Sequence, residues 1–194
     1  MNATVRKYQE KDKERLRYIC RETAGDDFKK NKNTLNAVPV IYSDYFTEIE
    51  PENIFVAADA DDNAVGYILC STDREKFRRI MMKKYMKKAV SVGRGILPCC
   101  IGYSMAWLMS GKEQSCHLHI DILPEYQHGG LGSKLIDTLR DHLKEKGFAE
   151  LYVNTIDVNA PAYGFYMKYG FHRTRRFTKT IYGLAISTDR SKKE

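Results

Sequence analysis

The sequence lacks the signatures of several protein classes. Its five cysteines are irregularly spaced and include no C-x-x-C pair, so neither a disulfide framework nor a zinc knuckle is indicated, and a reducing compartment is expected. The most apolar stretch, residues 96–109, includes Gly102 and Ser104 and is too short to span a bilayer, so it predicts a buried helix. The polar stretch Asn2–Arg17 does not resemble a signal peptide. We therefore expect a cytoplasmic location and no membrane partner.

Two familiar phosphate-binding motifs are also absent. A P-loop requires lysine directly after its second glycine, whereas here Ser133 separates Gly132 from Lys134. The dinucleotide-binding fingerprint requires G-x-G-x-x-G, and the pair Gly130 and Gly132 is not extended in that way. These absences exclude a P-loop nucleotide hydrolase and a dinucleotide-binding fold that uses the fingerprint.

The composition is that of a chain with a buried core and an excess of basic residues. Its 194 residues are 43% hydrophobic and 29% charged, which fits one domain. The net charge of +7 is compatible with nucleic acid, a membrane surface or a phosphorylated cofactor. Apolar residues interleave the basic stretch Lys76–Lys88, which is typical of an ordinary surface helix. Nucleic acid binding ranks last, because no recognition motif accompanies this charge.

Hydrophobic periodicity predicts an alternation of strands and helices. The predicted strands are Thr4–Tyr8, Ile54–Ala60, Ala64–Ser71, Ser115–Leu123, Glu150–Ile156, Phe171–Phe177 and Thr180–Ser187. The predicted helices are Lys11–Thr23, about Pro39–Glu48, Lys76–Lys88, Gly132–Lys146 and Asn159–Tyr169. Residues 72–114 read as a helical insertion between two strands. The order implies a mixed sheet with helices on both faces.

The second helix carries two uncertainties that the sequence leaves open. Asn33 or Thr34 could cap it, but Pro39 would interrupt its hydrogen bonds, so a start near Pro39 is favoured and 26–33 is expected to be a loop. Its aromatic face is expected to pack in the core, with a substrate-lining role as the alternative. That face consists of Tyr42, Tyr45, Phe46 and Ile49.

The stretch 117–133 is the centre of the functional argument. It is an alternating strand that stops at Pro124, turns through Gly129 and Gly130, and opens a long amphipathic helix. The first turn of a helix has unpaired N–H groups at the positive end of its dipole, so a phosphate binds there readily. Glycines let phosphate oxygens approach the backbone, and Gln127 and Ser133 can add side-chain contacts. A plain helix entry with flexible glycines is the competing interpretation.

Two motifs together carry a family resemblance. Residues 127–132 read Q-x-x-G-x-G, and residues 159–171 read N-x-x-A-x-x-F-Y-x-x-x-G-F. In this order, with strand, helix and strand between them, they resemble the GNAT superfamily of acetyl-CoA-dependent N-acetyltransferases, over 54–177 apart from the insertion. More loosely, the stretch 117–133 is similar to acetyltransferase-like domains related to bacterial O-GlcNAc hydrolases.

The resemblance implies a fold, a reaction and a co-substrate. The implied fold is an α/β, GNAT-like acyl-CoA N-acyltransferase fold with a mixed sheet, as one domain over 1–194 with a helical insertion at about 72–114, between the third and fourth strands. The implied reaction is direct transfer of an acetyl group from acetyl-CoA to a primary amine of a small molecule or peptide, without a metal. A catalytically weak or inactive acyl-CoA-binding module is the alternative, and a homodimer is left open.

The resemblance also implies cofactor-binding residues. The backbone of Ile122 and Leu123 would pair with the pantetheine arm, and Asn159 would bond to the same arm. Tyr166 would lie near the thioester sulfur and protonate the leaving thiolate, with a packed aromatic as the alternative. The diphosphate would be held by Gln127, His128, Gly129, Gly130, Leu131, Gly132 and Ser133.

The general base is the least determined part of the site. Family members often place a carboxylate or histidine nine residues before the equivalent of Gln127, and Leu118 stands there. Asp121 is the leading candidate for base or acceptor anchor and Asp157 the second. His117 and His119 alternate with Asp121 on the strand face opposite Leu118. Three such residues without a further ligand cluster are a weak indication of zinc.

Overall fold

The computed structural model describes residues 3–109, 116–156, 160–176 and 181–191. Within these ranges the strands are β1 (Thr4–Lys7), β2 (Ile54–Ala58), β3 (Ala64–Ser71), β4 (His117–Ile122), β5 (Glu150–Ile156), β6 (His172–Arg176) and β7 (Ile181–Ser187). The helices are α1 (Lys13–Glu22), α2 (Asp26–Lys29), α3 (Lys32–Tyr42), α4 (Asp44–Ile49), α5 (Arg74–Ile80), α6 (Met86–Val92), α7 (Leu97–Met109), α8 (Leu131–Glu145) and α9 (Ala160–Tyr169).

The described strands form one mixed sheet in the order β1-β2-β3-β4-β5-β7-β6. Neighbouring strands are antiparallel except for β4 and β5, which are parallel. Strand β4 pairs with β3 along its whole length, whereas its register with β5 is limited to His117 opposite Tyr152. The two parallel strands therefore part beyond this pair, and the sheet is open at its middle.

Helices cover both faces of the sheet, as the sequence predicts. Helix α1 packs on β3 and β4 with Leu16 and Ile19 fully buried, and α8 packs on β1, β2 and β3. The buried stripe of α8 consists of Leu135, Ile136, Leu139 and Leu143, all fully buried. Each such side chain stabilises the fold by about 1.5–3 kcal/mol relative to exposure. The mixed α/β class predicted from the sequence is confirmed.

The region before β2 differs from its prediction. Residues 26–29 form the short helix α2 instead of a loop, and α3 begins at Lys32 and runs through Pro39. Neither Asn33 nor Thr34 caps α3; the side chain of Asn31 accepts hydrogen bonds from both of their N–H groups, at 2.9 and 3.1 Å. This cap, together with burial of the apolar residues around the proline, offsets the hydrogen bond that Pro39 cannot make.

The described part of the segment between β3 and β4, residues 72–109, is helical, as predicted. Helices α5 and α6 are joined by a π-helical turn, Met81–Tyr85, and α7 follows. Phe77, Tyr85 and Ala89 are fully buried, which confirms the amphipathic helix expected in the basic stretch. Buried Asp44 accepts hydrogen bonds from Arg17 on α1 (2.8 Å) and Lys88 on α6 (3.0 Å), joining the insertion to the rest of the fold. In the described part of the chain, every helix falls short of the length and apolarity needed to cross a membrane.

Candidate active site

The gap between β4 and β5 presents free strand edge. The N–H of Leu123 donates to Val65 on β3 (2.9 Å), while the N–H of Tyr152 on β5 donates to the carbonyl of Cys116 (2.8 Å). Backbone groups of successive strand residues point to opposite edges, so those of Ile120 and Ile122 face the gap. An extended chain can lie there as an added strand.

The two residues expected to hold the pantetheine arm differ in whether their backbone groups face the gap. Ile122 faces the gap, and its carbonyl accepts a hydrogen bond from the Gln127 side chain at 2.8 Å. Leu123 differs from the expectation, because its N–H bonds to Val65 and its carbonyl accepts from Tyr126, both at 2.9 Å. Both backbone groups of Leu123 are therefore occupied within the chain.

The glycine turn ends at the N-terminus of α8, beside the gap. His128 (φ 64°) and Gly130 (φ 77°) both adopt the left-handed conformation. This is routine for glycine and uncommon for histidine, so the turn holds a strained residue of the kind that clusters at binding sites. The first helical bond runs from the N–H of Lys134 to Gly130, leaving the preceding N–H groups directed out of the helix end. The turn thus has the form of an anion cradle.

Gly132 allows α9 to approach this helix end. A Cβ built on Gly132 would lie 3.0 Å from Cζ of Phe165 and 3.6 Å from Cδ1 of Ile122. The glycine therefore lets the Phe165 ring close one side of the cradle. Leu131 is buried under the turn, while Gln127, His128 and Gly129 are exposed.

Tyr166 lies on α9 beside the gap. Its side chain is buried and packs edge-on against Phe171, with ring centroids 5.2 Å apart. Burial raises the pKa of Tyr166 well above its ordinary value, and the nearby charge of Asp121 raises it further. Tyr166 and Asp121 are thus close enough to interact electrostatically although they lie on different elements. The raised pKa keeps the phenol protonated and able to donate.

Asp121 is the centre of a hydrogen-bonded group on the α1 side of β4. Its carboxylate accepts from the phenol of Tyr67 and lies 3.0 Å from Nε2 of His119. The Cys20 sulfur, a ring nitrogen of His119 and a carboxylate oxygen of Asp121 are atoms that could bind a metal ion, and all three lie within 4.8 Å of one another. Burial raises the pKa of the Cys20 thiol, as does the charge of Asp121, which keeps the thiol protonated.

The remaining strand residues have other surroundings. His117 is buried, with ring centroids 4.5 Å from Phe77 and 5.8 Å from Phe46, and burial lowers its pKa to about 3. His117 is therefore neutral at ordinary pH. Leu118, at the position where the sequence resemblance implies a base, is buried in the core. Asn159 and Asp157 lie outside the described residues.

Sequence reasoning missed three members of the site. Tyr67, on β3, lies directly opposite Asp121 in the strand register. Cys20 on α1 lies in the core, as predicted, and its thiol also reaches the group around Asp121. The aromatic face packs on the core as predicted, and Tyr42 in addition stacks on His119, with ring centroids 5.2 Å apart and planes at 28°. A signal existed only for Tyr42, whose substrate-lining role was the alternative interpretation.

Comparisons with known proteins agree with this geometry. The model of the acetyltransferase (GNAT) family matches residues 20–171. The crystal structure of SsHAT is similar over 97% of this chain and 99% of its own, with a TM-score of 0.82 and 27% identity. A PaiA N-acetyltransferase from Thermoplasma acidophilum in complex with coenzyme A has a TM-score of 0.64 at 16% identity, over 96% of this chain and 99% of its own. The NatC complex bound to Gag peptide and CoA has a TM-score of 0.60 at 14% identity, over 96% and 99%.

The last two resemblances show a shared fold, since their identities are low. The family match covers well over half of the chain and includes both β4 and the glycine turn. The chain therefore belongs to the acetyltransferase (GNAT) family.

Proposed function

We propose that this protein transfers the acetyl group of acetyl-CoA to a primary amine by direct attack. An ammonium acceptor first loses one proton to a base. The amine nitrogen then forms a bond to the thioester carbonyl carbon, the carbon–sulfur bond breaks, and coenzyme A leaves as a thiolate. The second proton, which the nitrogen sheds as the amide forms, reaches the released thiolate through solvent. The observation that carries the proposal is the parting of β4 and β5 beyond His117 and Tyr152, with the glycine turn at one end and Tyr166 beside it.

Acetyl-CoA fits the opening in three parts. The pantetheine arm pairs with β4 at the backbone of Ile120 and the N–H of Ile122, whose carbonyl is held by Gln127, in place of the expected Ile122 and Leu123. The diphosphate lies on the N–H groups of 128–133, where the positive end of the α8 dipole favours it. Gln127 holds the Ile122 carbonyl and so fixes the turn against the strand. Positioning the thioester in this way supplies most of the catalysis.

Asp121 is the group that we propose receives the proton of the acceptor amine. Its side chain is partly exposed (18%), and among the described residues it is surrounded by the Tyr67 phenol, the Cys20 thiol and the His119 ring. His119, whose side chain is 30% exposed, bonds to the carboxylate and can relay the proton outward. An ammonium ion is therefore attracted to this carboxylate and can lose its proton there.

Tyr166 is the proposed donor to the departing sulfur. Its raised pKa opposes complete loss of its proton, so the phenol acts mainly by donating a hydrogen bond to the developing thiolate. This refines the sequence expectation, in which the phenol protonates the thiolate outright. The same burial that raises the pKa excludes water from the sulfur.

Release of the coenzyme A thiol tests the proposal. Wild-type protein with acetyl-CoA and a broad amine panel should release thiol, and Tyr166→Phe should lower kcat by roughly 10²- to 10³-fold, the range for a lost hydrogen-bond donor to developing negative charge. The Phe variant should bind acetyl-CoA with unchanged affinity. If wild type releases no thiol with any amine, the transfer reaction is refuted.

A non-catalytic acyl-CoA-binding module is the second candidate. The observation that favours it is buried Leu118 at the usual base position. It predicts acetyl-CoA binding without thiol release over the whole panel.

A further inference from the structure

We infer that the acceptor is a monoamine whose body is aromatic or apolar. This inference rests on the proposed function, because it names the amine class that the same site takes. It is carried by the surroundings of Asp121, which combine one carboxylate with a continuous group of aromatic rings contributed by α3, α7, β3 and β4.

The rings form a connected cluster, which we call the aromatic wall: Tyr42, Tyr67, Tyr103 and His119. Tyr67 is fully buried, and the other three are partly exposed, so they present the face that an acceptor can contact. Tyr42 lies between His119, at 5.2 Å and 28°, and Tyr103, at 5.8 Å and 87°. Tyr67 and His119 are 6.1 Å apart, and both bond to Asp121. The hydroxyl of Tyr42 is tied to the sulfur of Cys99 on α7 at 3.2 Å, so the wall is held in place.

Charge around the wall points to a single ammonium group. In the described parts of the chain, no lysine or arginine forms an ion pair with Asp121. A carboxylate that no lysine or arginine of the described residues neutralises, next to aromatic faces, attracts an organic cation. Among the described residues, Asp121 is the one carboxylate that bonds to a ring of the wall, so a second ammonium of a polyamine or aminoglycoside gains no second ion pair from these rings.

The lack of charged residues in α7 favours an acceptor whose body is uncharged. Residues 97–109 contain no charged side chain, and this helix contributes Tyr103 and Cys99 to the site. A free carboxylate on the acceptor, as in an amino acid, therefore meets no lysine or arginine from α7. Aromatic rings pack favourably edge-to-face or offset-stacked against such a wall.

Steady-state thiol release separates the amine classes. We expect kcat/KM for 2-phenylethylamine to exceed that for spermidine, glycine and ethylamine by about tenfold or more, the scale of a lost apolar contact. Tyr103→Ala should reduce the ratio of phenylethylamine to ethylamine about tenfold. Tyr18→Ala, which removes an exposed tyrosine on α1 away from the wall, is the matched control and should leave the ratio unchanged.

Two results would overturn the inference while leaving the transfer reaction intact: spermidine or glycine used as well as phenylethylamine, or an unchanged ratio in Tyr103→Ala. If no amine releases thiol, the proposed function fails and binding decides the inference separately. Calorimetric titration of phenylethylamine and spermidine into coenzyme A-saturated protein should then show binding of phenylethylamine alone, weakened by Tyr103→Ala. Absence of phenylethylamine binding in that experiment refutes the inference that the acceptor is an aromatic or apolar monoamine.

Discussion

At the scale of single residues, the site depends on two glycines at a helix end and on one carboxylate. Gly132 lets Phe165 approach the start of α8, and Gly130 takes a left-handed conformation that a side chain would strain. Asp121 is surrounded by a phenol, a thiol and an imidazole. These residues leave one helix end open to an anion and one carboxylate open to a cation.

Gly132→Ala tests the close approach at the helix end. The added methyl lies 3.0 Å from Phe165 Cζ, so we expect about 1 kcal/mol of destabilisation and several-fold weaker acetyl-CoA binding, because the ring must move. Thermal unfolding and calorimetry measure both effects. Phe165→Leu in the same protein should restore most of the loss, and an uncompensated double variant would show that the ring contact is not the cause.

Asp121→Asn tests the proposed base. The amide keeps the shape and still accepts a hydrogen bond from Tyr67, but it cannot take up a proton. We expect kcat to fall by roughly 10²- to 10⁴-fold with unchanged affinity for acetyl-CoA, measured by thiol release and calorimetry. Wild-type turnover in this variant would assign the base elsewhere.

At the scale of elements, helix α3 and strand β4 determine how the site is assembled. Helix α3 runs through Pro39 and carries Tyr42 to its last turn, where the ring reaches His119. Strand β4 directs Asp121 to one face and Ile122 to the other. A shift of either element by one residue would separate the carboxylate from the aromatic wall.

Removing the cap of α3 should be measurable as lost stability. In Asn31→Ala two N–H groups lose their acceptor, which costs about 1 kcal/mol. Chemical denaturation measures the change in free energy of unfolding. Asn31→Asp, which keeps an acceptor at the cap, should remain near wild-type stability; equal losses in the two variants would exclude the cap as the cause.

The buried histidine of β4 should make stability depend on pH. The pKa of His117 is about 3 in the folded protein and near its ordinary value when unfolded, so between these values only the unfolded chain binds the proton. His117 therefore destabilises the fold as pH falls from about 6.5 toward 3, by up to roughly 1.4 kcal/mol for each pH unit.

Denaturation of His117→Leu at pH 7 and pH 5 checks this dependence. The difference between the two pH values should be smaller in the variant than in wild type. His128→Asn, a change at an exposed histidine, serves as the control and should retain the wild-type difference. An identical pH dependence in His117→Leu would contradict the assignment.

At the scale of the whole molecule, the sequence predicts the sheet and the cradle better than the acceptor side. The strands, α8 and the glycine turn follow from local periodicity and turn chemistry, which are written in neighbouring residues. Tyr67, Cys20 and Tyr42 reach Asp121 through strand pairing and helix packing, which bring distant segments together. The start of α3 was predicted wrongly because proline usually interrupts a helix. Here the Asn31 cap and the burial of the residues around Pro39 stabilise a helix that runs through the proline.

The open middle of the sheet is the feature on which the account depends. Among the described residues, β4 and β5 pair at His117 and Tyr152 and part beyond them, which leaves the edge of β4 open up to the glycine turn. The net charge of +7 supports attraction of an anionic co-substrate to the molecule as a whole.

Isothermal titration calorimetry with acetyl-CoA tests this central claim most directly. We predict saturable one-to-one binding, with acetyl-pantetheine, which lacks the diphosphate, binding more weakly because it cannot use the N–H groups of 128–133. Absence of heat together with absence of a thermal shift at saturating acetyl-CoA, or equal affinity for the two compounds, would contradict the account.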